Sequence, residues 1–170
     1  VLNDVRPADV TWQVKGNAPD LFDDTASPLP EPPQGTFNVP AKFVEQAKLA
    51  ILHRDPQRFA LLYRLLWRLK RHHDLLDAAT DPDGAAVAAM VRSVRRDEHK
   101  MHAFVRFREV FRERISRYVA WFEPEHHIVE LAPPFFARRF ATLTSSFLTP
   151  DIFPHWAGIA VSCPPGVAQP

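Results

Sequence analysis

The fold is decided by the stretch VRSVRRDEHKMHAFVRFREVFRERISRYVAWFE, which runs from Val91 to Glu123. Just before this stretch and in its first residues, apolar side chains recur at helical spacing, at Val87, Met90, Val91 and Val94. From Met101 onward the apolar residues alternate with arginines, and a second β-type run, 118–122, follows a charged connection. The stretch therefore predicts a helix, a strand, a turn and a strand, in that order.

Three helices are predicted between residue 40 and Lys100, at 40–53, 56–71 and 82–100. Each has a proline in its first turn, and Asp55 and Asp81 stand where they can cap the second and third helices. The second helix is predicted to bury one face, formed by Phe59, Leu62, Tyr63, Leu66 and Leu69, with further apolar residues suggesting burial on more than one side.

The order of these elements indicates an α+β fold. We predict three N-terminal helices packed on a small antiparallel β-sheet, with one additional short helix at 135–141 and further short strands at 145–148 and 158–162. Residues 40–162 are predicted to form a single domain. Residues 1–39 would hold a partial N-terminal element and a proline-rich loop, and residues 163–170 a disordered tail.

Charge is distributed unevenly along the chain. The 170 residues carry a net charge of +1, yet residues 92–117 hold nine Lys or Arg and four Asp or Glu, a local charge of +5. No apolar run approaches the roughly 18 residues that a membrane helix needs, no signal peptide is visible in residues 1–10, and Cys163 is the only cysteine. We therefore expect a cytoplasmic protein with no membrane partner and a positive surface that is local.

The basic residues could contact the phosphates of a nucleic acid, which gives affinity that is independent of sequence and sensitive to salt. Phe104, Phe107 or Trp121 could stack on bases if any of them were exposed. The alternative is that the arginines pair with Asp97, Glu98, Glu109 and Glu113 and that the aromatic residues form the core. The predicted nucleic-acid-binding residues are Arg92, Arg95, Arg96, Lys100, Arg106, Arg108, Arg138 and Arg139.

The histidines raise two other possibilities. Imidazole and carboxylate ligands for a metal could come from His99, His102, His126 and His127, with Glu123 or Glu125. His99 ends the predicted helix, however, and His102 enters a strand, so a shared orientation of these two is not assured. We predict no metal and no cofactor. The candidate catalytic residues are Glu123, His126 and His127, which could act in acid–base chemistry. The sequence has no glycine-rich phosphate loop, no CxxC pair and no nucleophile elbow.

Four segments carry a resemblance to a known family: KMHAFVRFRE (100–109), YVAWFEPEHHIVELAPPFFARRF (118–140), LTPD (148–151) and HWAG (155–158). Together they resemble a bacterial domain of unknown function whose members are regarded as probable DNA metabolism proteins. Its members occur beside a putative DNA repair or modification protein of the radical SAM type, or fused in front of a UdgX-type uracil-DNA glycosylase. The chain itself has neither the cysteine triplet of a radical SAM enzyme nor glycosylase signatures.

The resemblance and the charge pattern together lead to one functional expectation. We expect a nucleic-acid-associated accessory domain in bacterial DNA repair or modification, which binds DNA or a catalytic partner enzyme and has no independent activity. The implied partners are DNA and a radical SAM-type protein or a uracil-DNA glycosylase domain. Two alternatives stay open: an enzyme that acts on nucleic acid through an acid–base site around Glu123, His126 and His127, and a protein–protein interaction module.

Overall fold

The computed structural model describes residues 1–12, 35–78, 80–112, 115–131, 135, 145–149, 155–156 and 161–162. These residues form helices followed by short strands, which confirms the predicted α+β class. The α-helices are α1 (Ala41–Ala50), α2 (Arg58–Leu69) and α3 (Pro82–Phe104). The strands are β1 (Arg108–Arg112), β2 (Ile115–Trp121), β3 (Ser145–Leu148), β4 (His155–Trp156) and β5 (Val161–Ser162), and 3₁₀ turns lie at Pro7–Asp9, Leu75–Asp77 and Val129–Leu131.

Contacts within the chain divide it into two compact units. The first comprises Val1–Ile51 and Asp55–Ala89, and the second comprises Leu52–Arg54 and Met90–Pro170. The helices α1 and α2 and the first turns of α3 belong to the first unit, whereas the rest of α3 and the sheet belong to the second. The helix α3 continues for one turn beyond the predicted end at Lys100, so the residues from Met101 to Phe104 are helical and not part of a strand.

The core of the first unit is built on α2. Both α1 and the 3₁₀ turn at Pro7–Asp9 pack against this helix. Phe59, which the sequence places on the buried face, is half-exposed and stacks on Trp12, with ring centroids 6.0 Å apart. The buried face of α2 is therefore centred on leucines, and the apolar core of the unit consists of Phe43, Ala50, Leu61, Leu62, Leu65, Leu69 and Val87.

The start of α3 is fixed by the predicted cap. The Asp81 carboxylate accepts a hydrogen bond from the Gly84 N–H at 2.8 Å, which satisfies one of the free amides of the first turn. Arg68 donates to Asp81 and Asp83, and Arg64 donates to Asp83 with both Nε and Nη2. These hydrogen bonds from Arg68 and Arg64 lower the pKa of Asp81 and of Asp83, so the carboxylates that begin α3 are held charged.

The second unit contains a five-stranded sheet in the order β1-β2-β3-β4-β5. β1 and β2 are antiparallel, with Arg108 opposite Val119, and the β3–β4 and β4–β5 pairs are antiparallel as well. The pairing of β2 with β3 is parallel, with Tyr118 opposite Ser145, which differs from the wholly antiparallel sheet that the sequence predicts. The chain between Trp121 and Ser145 is long enough for the crossover that parallel neighbours require.

The sheet unit buries one face of α3 and the segment that follows β2. Its buried apolar residues are Met90, Val91, Val94, Met101, Val105, Ala120, Ile128 and Val129. The predicted short helix at 135–141 is described only at Phe135, which is helical; the rest of it lies outside the described residues. The same holds for most of the proline-rich loop and for residues 163–170.

Candidate nucleic-acid interface

One face of α3 carries a row of basic side chains. Arg92, Arg95 and Arg96 are exposed, and Lys100 continues their spacing one turn further on. Residues separated by three, four, seven or eight positions lie on the same side of a helix, so these four residues form one stripe of roughly 12 Å. We call Arg92, Arg95, Arg96 and Lys100 the basic row. The opposite side of the helix is buried through Val94, Asp97 and Met101.

Acidic residues balance the positive charge of the basic row only in part. Within the described residues, Arg92, Arg95 and Arg96 form no salt bridge, whereas Lys100 Nζ lies 2.7 Å from a carboxylate oxygen of Glu125. That contact, together with nearby Arg96, lowers the pKa of Glu125. Asp97, which the sequence offers as a possible partner for the arginines, is only 2% exposed and faces the core.

The basic residues of α2 differ from the basic row because they are bound within the first unit. Arg64 and Arg68 are paired with the carboxylates at the start of α3. Arg58 donates to the carbonyls of Ile51 and Asp55, and Lys70, the residue after α2, pairs with Asp4 at 3.2 Å. The helix α2 carries three arginines and no acidic residue, but these arginines make hydrogen bonds or ion pairs within the first unit.

The other predicted nucleic-acid-binding residues have different environments. Arg106 Nη1 donates to the carbonyls of Ala103 and Val105, at 2.7 and 3.0 Å, and so completes the hydrogen bonding at the end of α3. Arg108 is exposed on β1. Arg138 and Arg139 lie outside the described residues. The structure therefore brings four of the eight predicted residues together on one helix face.

Of the three aromatic residues considered for stacking, Phe104 is the exposed one. It is 69% exposed and lies one helical turn after Lys100. Phe107 and Trp121 are half-buried, and the Trp121 indole N–H donates to the Glu123 carboxylate at 3.0 Å. Their environments fit the alternative that these aromatic residues pack against the protein.

The candidate catalytic residue His126 lies inside a hydrogen-bonded cluster that the sequence does not reveal. Its backbone N–H donates to Asp97 at 2.9 Å, its Nδ1 accepts from the Arg54 N–H at 3.3 Å, and its Nε2 lies 2.8 Å from Ser93 Oγ. The ring is tilted against that of His53, with centroids 4.3 Å apart. Burial, followed by the nearby His53, lowers the pKa of His126, so the ring is neutral at neutral pH.

Ser93, His126 and Asp97 are the residue types of a catalytic triad, but their hydrogen bonds are not those of a triad. Because Nδ1 accepts from Arg54, the neutral ring must carry its proton on Nε2, and Nε2 then donates to Ser93. A base that activates a serine needs a free lone pair on that nitrogen, and its carboxylate partner binds the ring and not the backbone. The hydrogen bonds of the cluster therefore hold His126 in place in the fold.

A comparison with models of known protein families places the chain in a family. The family model of a domain of unknown function, DUF4130, matches residues 56–149, more than half of the chain. The chain belongs to the DUF4130 family. The match includes the whole basic row and the segment around His126. No curated protein and no solved structure matches the chain.

Two of the three candidate catalytic residues of this DUF4130 chain are accessible. Glu123 and His127 are exposed, and the His127 backbone N–H donates to the Leu52 carbonyl at 2.8 Å. In the part of the chain that the structure describes, no three His, Cys, Asp or Glu side chains converge to form a metal site. Among the same residues, no helix has the length and apolar character to cross a membrane.

The lowered pKa of His126 predicts a pH dependence of stability. Below the pKa of an unfolded histidine, about 6.5, the unfolded chain binds a proton that folded His126 does not accept, so stability is full above that pH and falls as the pH decreases toward the folded pKa. Among the charged and titratable groups near His126, His53 and Arg54 lower its pKa in the same direction as burial, whereas Asp97 and Glu125 raise it. Urea unfolding at pH 7 and at about pH 5.5 should show a lower midpoint at the lower pH.

Two histidine variants test this assignment. His126→Gln is expected to flatten the pH dependence, whereas the exposed His99→Gln should leave it unchanged. Asp81, Asp83 and Glu125 have lowered pKa values, so their contributions are lost only as the pH falls below the unfolded carboxyl pKa of about 4. A midpoint that does not change between the two pH values would contradict the buried, neutral state of His126.

Proposed function

We propose that this DUF4130 chain is a nucleic-acid-associated accessory domain in bacterial DNA repair or modification, and that the basic row of α3 is its DNA-contacting surface. The observation that supports this best is the state of Arg92, Arg95 and Arg96: each is exposed, and none forms a salt bridge with a described residue. A polyanion can supply the salt-bridge partners that the described residues do not supply to these three arginines. The link to DNA repair is supported by the resemblance to probable DNA metabolism proteins.

The chemistry of such a surface is contact with the phosphate backbone. A guanidinium group stays charged at any physiological pH and can donate two parallel hydrogen bonds to one phosphate. Three such groups on one rigid helix would contact neighbouring phosphates without reading the bases, so the affinity would not depend on sequence.

An accessory role also agrees with the state of His126. Both of its ring nitrogens are engaged within the protein, and its ring is buried. In this proposal the chemistry belongs to a partner, of the radical SAM type or a uracil-DNA glycosylase, and the present chain holds the DNA. An enzyme with Glu123 and His127 as its acid–base pair is the competing proposal. Turnover of uracil-containing or alkylated DNA by the purified chain would favour that alternative.

A salt titration tests the proposal directly. Fluorescence anisotropy with labelled duplex DNA should give an affinity whose logarithm falls linearly with the logarithm of salt concentration, with a slope of about −0.9 per phosphate contact. Arg95→Ala and Arg96→Ala should each weaken binding similarly across sequences and flatten the slope by about one unit. Lys48→Ala, an equal change of charge at an exposed position of α1, is the matched control and should have little effect.

The weakest affinity that is typical of non-specific DNA binding serves as the threshold for this test. If wild-type affinity for both single- and double-stranded DNA is no better than a dissociation constant of about 10⁻⁴ M, the domain alone does not bind DNA. The proposal would also fail if Lys48→Ala flattened the slope as much as Arg95→Ala, because the charge of the whole chain and not the basic row would then be responsible.

A further inference from the structure

We infer that this chain prefers single-stranded to fully paired nucleic acid, and that an unpaired base stacks on Phe104. The inference rests on the proposed function and names the class of nucleic acid that the same surface takes. Its starting point is an aromatic side chain that is 69% exposed on the helix that carries the basic row. Phosphate contact alone does not account for a phenyl ring at this place.

The position of Phe104 follows from the helix itself. It lies four residues after Lys100 and eight after Arg96, so the ring is about 6 Å and about 12 Å further along the helix axis. Met101, in the last turn of α3, and Val105, the first residue after the helix, are both buried. Phe104 therefore stands at the end of the basic row and at the edge of the buried face, where a strand bound to the row can reach its ring.

The last turn of α3 is held in place by hydrogen bonds. Arg106 donates to the carbonyls of Ala103 and Val105, one on each side of Phe104 in the sequence. A ring on an anchored backbone loses little conformational freedom when a base stacks on it, and this lowers the entropic cost of binding. Arg106 thus supports the interface as a positioning residue, by fixing the turn that carries the ring.

The environment of Phe104 differs from that of the half-exposed Phe59 in the first unit. Phe59 is stacked on Trp12, and the guanidinium of Arg58 lies 4.4 Å from its ring centroid. Within the described residues, Phe104 has neither an aromatic nor a cationic partner on its ring. Its face is thus available to a planar ligand beside a row of arginines, and this combination of positive charge and open aromatic surface is typical of single-strand binding sites.

Base pairing determines which form of nucleic acid can stack on the Phe104 ring. In a duplex the faces of the bases are covered by their neighbours, so a ring on the protein surface gains nothing unless a base is first unstacked at a cost of energy. In a single strand the base faces are free. The arginines would attract both forms, and Phe104 would add affinity only for the single strand.

The test compares two labelled probes, a thymidine oligonucleotide of about twelve residues, within the usual single-strand site size, and a duplex of the same length. Anisotropy titrations are made with wild type, Phe104→Leu and Phe104→Tyr. Because stacking on one aromatic side chain contributes about a factor of ten in affinity, Phe104→Leu should weaken single-strand binding about tenfold and leave duplex binding unchanged. Phe104→Tyr keeps the aromatic face and should retain wild-type affinity. Phe59→Leu is the matched control and should leave both affinities unchanged.

The outcomes separate this inference from the proposed function. If Phe104→Leu leaves single-strand affinity unchanged, or weakens both probes equally, stacking is overturned while DNA binding by the basic row stands. If wild type binds neither probe, the proposed function fails and the inference fails with it. Leucine at this exposed position is not expected to disturb folding, and thermal unfolding of each variant confirms that the comparison is between folded proteins.

Discussion

Leu65→Ala is expected to lower the free energy of unfolding by about 2–5 kcal/mol, the usual cost of truncating a buried leucine. Leu65 is fully buried in α2, at the centre of the leucine face that forms the core of the first unit. The substitution removes apolar surface that folding takes out of water and leaves a cavity that rigid helices fill only in part. Urea unfolding followed by the circular dichroism of the helices gives the change in the free energy of unfolding.

Phe59→Ala on the same helix provides the comparison. It removes a larger side chain, but Phe59 is 40% exposed and its contacts are with Trp12 and Arg58 near the surface. We therefore expect a loss well below that of Leu65→Ala. If Phe59→Ala cost more than Leu65→Ala, α2 would face the core through Phe59, as its sequence pattern suggests, and not through its leucines.

Asp97→Ala is expected to cost about 1.5–3 kcal/mol, the range for hydrogen bonds to charged groups. The Asp97 carboxylate is buried and accepts the backbone N–H of His126 at 2.9 Å. Alanine leaves that N–H without an acceptor at a place that water does not reach easily. Folding then removes the amide from water without a hydrogen bond to offset the cost, and this lowers the free energy of unfolding. The loss should appear in urea unfolding and as faster hydrogen exchange of the His126 amide.

Asp97→Asn is the matched variant for this prediction. Asparagine keeps the shape of the side chain and one carbonyl oxygen that can accept the same N–H, although the bond is weaker without the charge. We expect it to cost clearly less than alanine. If both variants were equally destabilising, the charge of Asp97 and not its hydrogen bond would be the important property; an unfolding midpoint of Asp97→Ala equal to wild type would exclude both roles.

Local signals in the sequence predicted the start of α3 correctly, whereas α2 begins at Arg58 with Gln57, not Asp55, in the cap position. A proline in the first turn and an aspartate before it mark the start of α3, and the structure shows Asp81 capping that helix through the Gly84 amide. The basic row was also predictable, since a spacing of three and four residues places Arg92, Arg95 and Arg96 on one side of any helix. The same spacing puts Asp97 with Val94 and Met101, and this signal could have identified it as buried.

Other features depend on contacts between distant parts of the chain. The apolar residues of α2 surround much of the helix, so periodicity could not decide between Phe59 and the leucines. The environment of His126 combines residues 52–54, residues 93–97 and residues 123–128, and no single segment shows it. The parallel pairing of β2 with β3 is likewise set by where a long crossover returns, which short turns and strand patterns do not encode.

Parallel pairing also sets an order of events in folding. β1 and β2 are separated by two residues and can pair in about 1–10 μs, as hairpins do, whereas β3 must first be synthesised and then brought back across the crossover. Until that happens, the second edge of β2 has unpaired amides and carbonyls, and such an edge favours association with other chains. Nascent or cleaved chains that end before Ser145 would expose that edge, whereas the DUF4130 match extends to residue 149 and includes the strand that covers it.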